Sequence, residues 1–331
     1  MSKRFNNRTL VIIFVVLLGI FLVNRFFFSD RKERNFRTQL VELDTTQVTN
    51  IQLYPQNEEK ITLQKEAGNW TVQQGNITTQ ADQSAVRNLL ATLEDLRPQR
   101  LAATSEEQWE ELGVTDSAAT RVVVSANGKE VADVYIGKFN INTNAQQQPM
   151  NPMQQQMPSA TSFVRLGNEE EVYAIDGYQT MSINRGFSSW RDRTFVKLDQ
   201  DSITQLAFTY PGDSSFTASK TADANWVIDG AAADSTEMVS YLRTVSNLSN
   251  SNFIDDYTTE GQNSLCQLTI NGENIEEVTI HCYRRDDGFV LTSSQRDGAY
   301  FSSDSTGLFS RIFISKGELL PEEEEEAEVT Q

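Results

Sequence analysis

Two stretches of this chain alternate hydrophobic and polar residues in the same way. Residues 48–72 read VTNIQLYPQNEEKITLQKEAGNWTV, and residues 203–228 read ITQLAFTYPGDSSFTASKTADANWVI. In both, an alternating strand ends at a Tyr-Pro turn, a second strand follows, and an Asn-Trp pair opens a third. Alternation is typical of half-buried strands, and proline ends a strand because it has no N–H to donate. Each stretch is therefore predicted to form three strands.

A helical pattern follows both stretches. Apolar residues recur at i, i+3, i+4, i+7 and i+10, and adding 152 to each position of the first set gives the second. The two sets are Val86, Leu89, Leu90, Leu93 and Leu96, and Met238, Tyr241, Leu242, Val245 and Leu248. Asp82 and Asp234 precede them, where a carboxylate caps the first N–H groups. Two capped amphipathic helices are predicted.

A hairpin and a last strand pair follow each helix. The hairpins lie at residues 121–137 and 266–283, and the last strand pairs at residues 162–176 and 288–304. Asn127-Gly128 and Asn271-Gly272 are the predicted turns, since Asn and Gly tolerate positive φ. Four matched features in one order predict an α+β fold of two duplicated subdomains, each an antiparallel sheet with an amphipathic helix. The alternative is two unrelated α+β domains.

The N-terminal region predicts a single membrane span. Every residue from Leu10 to Val23 is apolar or Gly, and three Phe residues extend the run to Phe28. As a helix, Leu10–Phe28 would span roughly 28 Å, close to the hydrocarbon thickness of a bilayer. We expect residues 9–28 to be an anchor in contact with lipid. A cleaved signal peptide is disfavoured, because no small-residue cleavage site follows the run.

The expected orientation places the N-terminus in the cytoplasm. Three basic residues precede the apolar run Leu10–Val23 and five follow Val23 (Arg25, Arg31, Lys32, Arg34 and Arg37), which by itself would favour the opposite orientation. However, a short basic tail before a first span usually stays inside, and long domains cross largely regardless of flanking charge. We expect a single-pass protein of the bacterial inner membrane with a periplasmic C-terminal domain.

The chain is expected to contain seven segments. They are a cytoplasmic N-tail (1–8), the transmembrane anchor (9–28), a basic stalk (29–44), a first α+β repeat (45–180), a linker (181–202), a second α+β repeat (203–316) and an acidic disordered tail (317–331). Residues 142–160, rich in Asn, Gln, Met and Pro, are expected to be a loop. Its Met150, Met153 and Met157 could suggest a soft-metal site, but no Cys or His lies beside them, so no metal is expected.

Charge and motif content argue against several functions. The chain has a formal charge of −18, and residues 38–331 contain 44 acidic and 20 basic side chains. Such a surface repels phosphate backbones, so no nucleic-acid partner is expected. The single histidine, His281, lies in a predicted strand, and the sequence indicates no nucleophile or orienting carboxylate for it. The common catalytic and nucleotide-binding motifs are also missing. We expect no enzymatic activity and no cofactor.

The two cysteines, Cys266 and Cys282, fall on opposite arms of the second predicted hairpin. If Ile270 and Glu276 flank its turn, Cys266 lies opposite Ile280, and Cys282 lies one pair further along. That diagonal separation is longer than a disulfide permits. Free, buried thiols are therefore predicted.

The segment between the two copies contains the residues Trp190, Arg191, Asp192 and Arg193. They could form an interaction patch, with the tryptophan stacking and the arginines binding carboxylates. The preferred interpretation is structural: a linker strand in which Trp190 fills the seam between the copies and Asp192 pairs with an arginine.

With these residues assembled, the chain resembles the bacterial membrane family catalogued as domain of unknown function 4340. The resemblance is carried by the N-terminal span, the strand–strand–Trp unit at 48–72, the strands at 163–175, and Ser189-Trp190-Arg191-Asp192. Members look like companions of gliding-type ABC transport systems. The resemblance implies a non-enzymatic, membrane-anchored extracytoplasmic accessory subunit that scaffolds or gates such a complex, with ABC permease subunits as partners. The alternative is an extracytoplasmic ligand-binding module for a glycan or peptide.

Overall fold

The computed structural model describes residues 37–141 and 159–321. The expected N-tail, the transmembrane anchor at 9–28 and half of the basic stalk (29–36) lie outside these residues, as do positions 142–158 of the expected loop. Among the helices that the structure describes, none is both long enough and apolar enough to cross a membrane.

β-strands are the main secondary structure of the described residues, and most of them lie in two large antiparallel sheets. The first sheet contains β1 (Val48–Tyr54), β2 (Ile61–Glu66), β3 (Asn69–Gln74), β4 (Ile77–Gln80), β5 (Arg100–Ala103), β6 (Thr120–Ala126), β7 (Lys129–Ile141), β8 (Ala160–Leu166) and β9 (Val172–Asp176). The second contains β11 (Ile203–Thr209), β12 (Phe216–Lys220), β13 (Trp226–Ile228), β14 (Ala231–Ala232), β16 (Phe253–Ile254), β17 (Cys266–Gly272), β18 (Val278–Arg285), β19 (Gly288–Ser293) and β20 (Tyr300–Ser303). Two short strands, β10 (Thr194–Lys197) and β15 (Asn247–Ser249), pair separately.

The two sheets have the same strand order. The first runs β4-β3-β2-β1-β6-β7-β8-β9-β5, and the second runs β14-β13-β12-β11-β17-β18-β19-β20-β16. The first strands also share their burial pattern and an irregularity, because the register shifts at Val48/Asn50 in β1 and at Ile203/Gln205 in β11.

Helices are few and mostly short. They are α1 (Gln83–Glu94), α2 (Trp109–Leu112), α3 (Gly177–Thr180), α4 (Ser235–Val245) and α5 (Leu308–Ile312). The predicted α+β balance is thus corrected to a mostly β protein. The sequence pattern missed β4, β5, β14 and β16 because segments of two to four residues are too short to show alternation.

Both predicted amphipathic helices are present with their caps. The Asp82 carboxylate accepts hydrogen bonds from the first N–H groups of α1, and Asp234 does the same for α4. All ten residues of the two predicted stripes are buried. Eight of them lie on one face of their helix, which is thereby removed from water, whereas Leu96 follows the end of α1 and Leu248 lies in β15, so the predicted stripes are too long by one residue each.

The chain divides into two compact units. One runs to Asn57 and continues over Arg87–Asn184, and the other contains Glu58–Val86 together with the chain from Arg185. The second unit has an extensive apolar core in which α4 packs with β11, β12, β17 and β18. Its aromatic centre is Phe208, whose ring stacks on Phe216 at 4.4 Å between centroids.

The acidic tail expected from residue 317 is corrected at its start. Lys316–Leu319 form a 3-10 turn whose capping box joins Ser315 to Glu318. Leu319 is buried in the core of the second unit, and its carbonyl accepts a hydrogen bond from the N–H of Asp234. Residues 322–331 lie outside the described range.

One Asn-Gly dipeptide makes the predicted turn and the other does not. Asn127 and Gly128 both have positive φ and join β6 to β7. Asn271 and Gly272 instead lie in β17 and pair with β11. A Cβ at position 272 would lie 2.1 Å from the carbonyl oxygen of Ser202, so glycine serves close backbone approach there.

This longer turn corrects the predicted cysteine register. Asn274 provides the positive φ, and Ile270 pairs with Val278, two residues beyond the expected position. Cys266 therefore lies opposite Cys282, and the prediction that it faces Ile280 was wrong. Both thiols are free and buried, as predicted.

A polar cleft in the second unit

The four residues of the predicted interaction patch have different environments. Trp190 is fully buried, and its indole N–H donates to the carbonyl oxygen of Arg185 at 3.1 Å. Asp192 is half-buried and Arg193 is exposed. All four lie in the second unit, just before β10.

Arg191 is held by a carboxylate and an aromatic ring. Its two terminal nitrogens donate to the two carboxylate oxygens of Asp255 at 2.9 and 2.8 Å. The guanidinium carbon lies 3.7 Å from the centre of the Phe253 ring. This bidentate ion pair and the cation–π contact hold the guanidinium inside the fold, where another protein cannot bind it.

The strands that follow Arg193 build a cleft beside it. Pairing of β10 with β15 brings Asn250 next to Arg193, and the Asn250 N–H donates to the Arg193 carbonyl at 2.9 Å. Pairing of β16 with β20 then places Asn252 against Ser302, whose N–H donates to the Asn252 carbonyl at 2.8 Å. Polar loop ends thereby converge at one place.

We call this site the polar cleft, and its volume is about 670 Å³. Hydroxyl, amide and charged side chains predominate in its lining, which consists of Asp82, Asp192, Arg193, Thr194, Ser249, Asn250, Ser251, Asn252, Ser302, Ser303, Asp304, Thr306, Gly307, Leu308 and Arg311.

The carboxylates of the polar cleft are occupied by partners within the unit. Asp192 accepts from Arg296 at 2.6 Å and from the Thr194 N–H. Asp82 caps α1. Hydrogen bonds from the Thr306 N–H and hydroxyl lower the pKa of Asp304, which stays ionised. Each of these three carboxylates therefore already accepts hydrogen bonds within the second unit, and that of Asp192 is also paired with a cation.

The guanidiniums of Arg193 and Arg311 differ from these acids. Both side chains are exposed, and neither has a hydrogen bond or ion pair with any residue that the structure describes. A guanidinium is a planar fork that matches a carboxylate with two parallel hydrogen bonds. Within the described part of the chain, the polar cleft therefore offers two cations without ion-pair partners to a carboxylate or other anion.

Sequence reasoning singled out Asp192 and Arg193 of the polar cleft but not Arg311 or the loops that complete it. Arg311 is 118 positions further along the chain, so no local pattern joins it to Arg193. The run NLSNSN at 247–252 was the available signal, because clustered Asn and Ser mark a polar loop. That signal does not reveal which loops meet.

A cleft of about 930 Å³ also lies in the first unit, between residues 37–42, 130–133 and the end of β8. Arg37, the cation of its lining, binds Glu169 at 2.6 Å, and the lining residue Asp133 binds Arg121, which lies outside the lining, at 2.8 Å. Bonding to Asp133 raises the pKa of Arg121. With its cation occupied, this cleft is the weaker candidate for binding an anion.

The remaining chemical candidates form no cluster. His281 lies half-buried in β18, burial lowers its pKa, and its Nδ1 has no hydrogen-bond partner among the described residues. In the same residues, no group of three or more His, Cys, Asp or Glu side chains is placed to hold a metal ion. Met150, Met153 and Met157 lie outside the described residues.

Fold and cleft together define a mostly β, two-unit protein with an arginine-lined polar cleft. The family described as domain of unknown function (DUF4340) matches residues 70–147 and 155–268, more than half of the chain. The chain therefore belongs to this family, and the resemblance inferred from its sequence is confirmed. The chain matches no curated protein and no solved structure.

Proposed function

We propose that this chain is a non-enzymatic, membrane-anchored extracytoplasmic accessory subunit that scaffolds or gates an ABC-type transport or envelope complex. The observation that carries the proposal is the pair of guanidiniums in the polar cleft, Arg193 and Arg311, which have no side-chain partner among the described residues. The family resemblance described above supports it, because that resemblance implies companions of ABC systems.

The charge distribution suggests how a partner would be selected. A strongly acidic surface repels most acidic surfaces, so only a partner that places a carboxylate in the polar cleft gains a favourable contact. Ion pairs of this kind fix orientation more than they add affinity. We propose that Arg193 and Arg311 orient the subunit on an acidic loop of a permease.

Charge reversal tests this proposal. Affinity purification from detergent-solubilised membranes should recover permease and ATPase subunits with the wild-type chain and lose most of them with Arg193→Glu/Arg311→Glu. Arg284→Glu is a matched control, because Arg284 is exposed but lies outside the cleft. Equal recovery with the double variant would show that the polar cleft does not bind these subunits. If the wild-type chain does not recover them, the proposed scaffold function is wrong.

The second candidate is a ligand-binding module for an acidic glycan or an acidic peptide. It is favoured by the size of the polar cleft and by its hydroxyl and amide lining. Calorimetric titration with uronic-acid oligosaccharides and with a Glu-rich peptide discriminates the two candidates. A monomeric chain that binds one of these through Arg193 and Arg311 supports the module.

We also infer that the two halves arose by internal duplication. The shared strand order, the shared burial pattern of β1 and β11, and the matching register shifts support it. Superposition of residues 48–176 on 203–304 in an experimental structure tests it. Val86 should then coincide with Met238, and a mismatch would contradict the duplication.

For topology, we propose that residues 1–8 are cytoplasmic and that residues 29–331 lie beyond the inner membrane. Support comes from the apolar run at 9–28 and its short basic tail. The test is Thr330→Cys in a Cys266→Ser/Cys282→Ser chain, treated with a membrane-impermeant thiol reagent in intact spheroplasts. Labelling without lysis supports the proposal, whereas labelling only after lysis places the domain in the cytoplasm.

A further inference from the structure

The two cysteines of the second unit face each other across a strand pair. Cys266 of β17 is directly opposite Cys282 of β18, and the adjoining pairs are Gln267–His281 and Leu268–Ile280. Both side chains are buried, Cys282 completely. Opposite residues of an antiparallel pair point to the same face of a sheet, so both thiols lie on the core side.

This register satisfies the geometric requirement of a disulfide. Opposite residues in antiparallel strands have Cα atoms roughly 4.5–5.5 Å apart. Disulfides form at Cα separations of about 4.4–6.8 Å, so the opposed register places the two cysteines within that range. A diagonal pair, at about 7–8 Å, lies outside this range.

We propose that Cys266 and Cys282 are a cross-strand dithiol that a small-molecule or protein disulfide converts into a disulfide joining β17 to β18. Closure in the cell rests on the proposed extracytoplasmic location, because disulfides persist in oxidising compartments such as the periplasm. Closure by the purified chain depends only on the register.

The reaction is a two-step thiol–disulfide exchange. The thiolate of one cysteine attacks the oxidant disulfide, forming a mixed disulfide and releasing one oxidant thiol. The second protein thiolate then attacks the protein sulfur of the mixed disulfide and releases the second oxidant thiol. The two protein thiols lose two electrons and two protons, and the oxidant disulfide takes them up.

The environments of the thiols indicate which one attacks first. Burial raises the pKa of both, and it raises the pKa of Cys282 to about 12. Cys266 is slightly exposed, whereas Cys282 is not. The mixed disulfide therefore forms on Cys266, which leaves Cys282 as the resolving thiol.

Oxidation of the purified full-length chain tests the pair. The reduced protein in detergent is incubated with oxidised glutathione and analysed by intact mass and by non-reducing peptide mapping. We expect the mass to fall by two hydrogens and one peptide to link Cys266 with Cys282. Persistent glutathionylation of Cys266 without closure would overturn the proposal.

A register variant serves as the matched control. The double variant Ile280→Cys/Cys282→Ser keeps two thiols in the same hairpin but places them diagonally. We expect it to close about tenfold more slowly or not at all and to retain glutathione on Cys266. Equally rapid closure of both proteins would show that the opposed register has no role.

Thiol trapping in cells separates this proposal from the proposed location. Acid quenching followed by a mass-tagged maleimide should show no reactive thiols in the native chain. If the purified chain forms the disulfide but the chain in cells is reduced, the proposed cysteine pair is supported and the proposed extracytoplasmic location is contradicted. If purified protein does not close, the pair fails, and labelling at Thr330→Cys still decides the location independently.

Discussion

Among the described residues, each unit of this protein buries one arginine, and the two arginines are stabilised by different means. Arg165 in the first unit is 3% exposed, and Arg191 in the second is 4% exposed. Removing a guanidinium from water costs several kcal/mol unless new partners replace the lost hydration. Because burial is nearly equal, the difference between the two sites lies in the partners.

Arg191 has a carboxylate as its main partner. Asp255 receives both terminal N–H groups, and Phe253 covers one face of the guanidinium. One requirement is left unmet: Nε of Arg191 has no hydrogen-bond partner among the described residues. Charge compensation at this site thus depends on one side chain.

Arg165 instead lies between two aromatic rings. The ring centres of Tyr135 and Trp109 are 3.8 and 4.0 Å from its guanidinium carbon. Its N–H groups donate to the carbonyl oxygens of Val114 and Leu166 at 3.2 and 3.4 Å. The nearest carboxylate, Asp116, is 3.6 Å away and 86% exposed.

The comparison shows that a buried arginine does not require a buried countercharge. Ring quadrupoles and carbonyl dipoles can replace the carboxylate if they are fixed in place by strands and turns. It also shows that the first site distributes its stabilisation over several groups, whereas the second concentrates it in Asp255. Substitutions of single partners should therefore have unequal effects.

The largest effect is expected for Asp255→Asn. This change leaves the Arg191 guanidinium buried without a countercharge, and we expect the free energy of unfolding to fall by about 2–3 kcal/mol, less than for a fully buried pair because Asp255 is one-third exposed. Urea unfolding of the full chain measures it, and hydrogen exchange around Phe253 localises it. Asp256→Asn is the control, since Asp256 is 79% exposed and should change stability by less than about 0.5 kcal/mol. An equally small loss of unfolding free energy for Asp255→Asn would contradict the conclusion that Arg191 depends on one carboxylate.

The next effect is expected for Tyr135→Leu in the first unit. Leucine retains apolar volume but removes one ring from Arg165, and we expect a loss of about 2 kcal/mol. Tyr135→Phe keeps the ring and should cost less than about 1 kcal/mol. Hydrogen exchange in β7 and β8 reports the change. Equal losses in both variants would mean that the hydroxyl, rather than the ring, stabilises the site.

A smaller, pH-dependent effect is expected at His281, a second-unit group with an unpartnered Nδ1. Burial lowers its pKa in the folded state, so below the ordinary value of 6.5 the unfolded chain binds more protons. Stability contributed by the neutral ring is therefore present above pH 6.5 and is lost as the pH falls through the folded-state pKa. Unfolding free energies between pH 7.5 and 5 should decline more steeply for wild type than for His281→Gln. Parallel curves would show that His281 titrates alike in both states.

The smallest effect is expected for Asp116→Asn. Although Asp116 is the nearest acid to Arg165, its exposure and its 3.6 Å separation make the ion pair weak. We expect a change in the unfolding free energy of less than about 0.5 kcal/mol. A loss close to that of Asp255→Asn, measured in the same urea titration, would show that Arg165 also depends on its carboxylate.

Local pattern was sufficient for the long elements of the fold. Alternation at 48–54 and 203–209 predicted β1 and β11, and the 3.6-residue spacing after Asp82 and Asp234 predicted α1 and α4 with their caps. These features are encoded within a few residues, because strand and helix periodicity act over short distances. The short strands β5 and β16, which complete the sheets, lack such a signal.

The candidate site was only partly predictable. The predicted patch consists of four adjacent residues, Trp190, Arg191, Asp192 and Arg193, and nothing in their sequence distinguishes one from another as a binding residue. In the described chain, only the side chain of Arg193 has no partner. The distinction arises from Asp255 and Arg296, which are 64 and 104 positions away from their partners. No local pattern specifies pairs at that distance.

The sequence by itself determined the strand and helix periodicity, the caps and the family of this protein, because each depends on residue types at short spacing. Only the tertiary structure decided the hairpin register that opposes Cys266 to Cys282, and the pairing that leaves Arg193 and Arg311 without partners among the described residues. The physical reason is that Asn271-Gly272 satisfies a local turn preference but is held in β17 by pairing with β11. There Gly272 allows the backbone to approach Ser202, and long-range hydrogen bonds outweigh turn propensity.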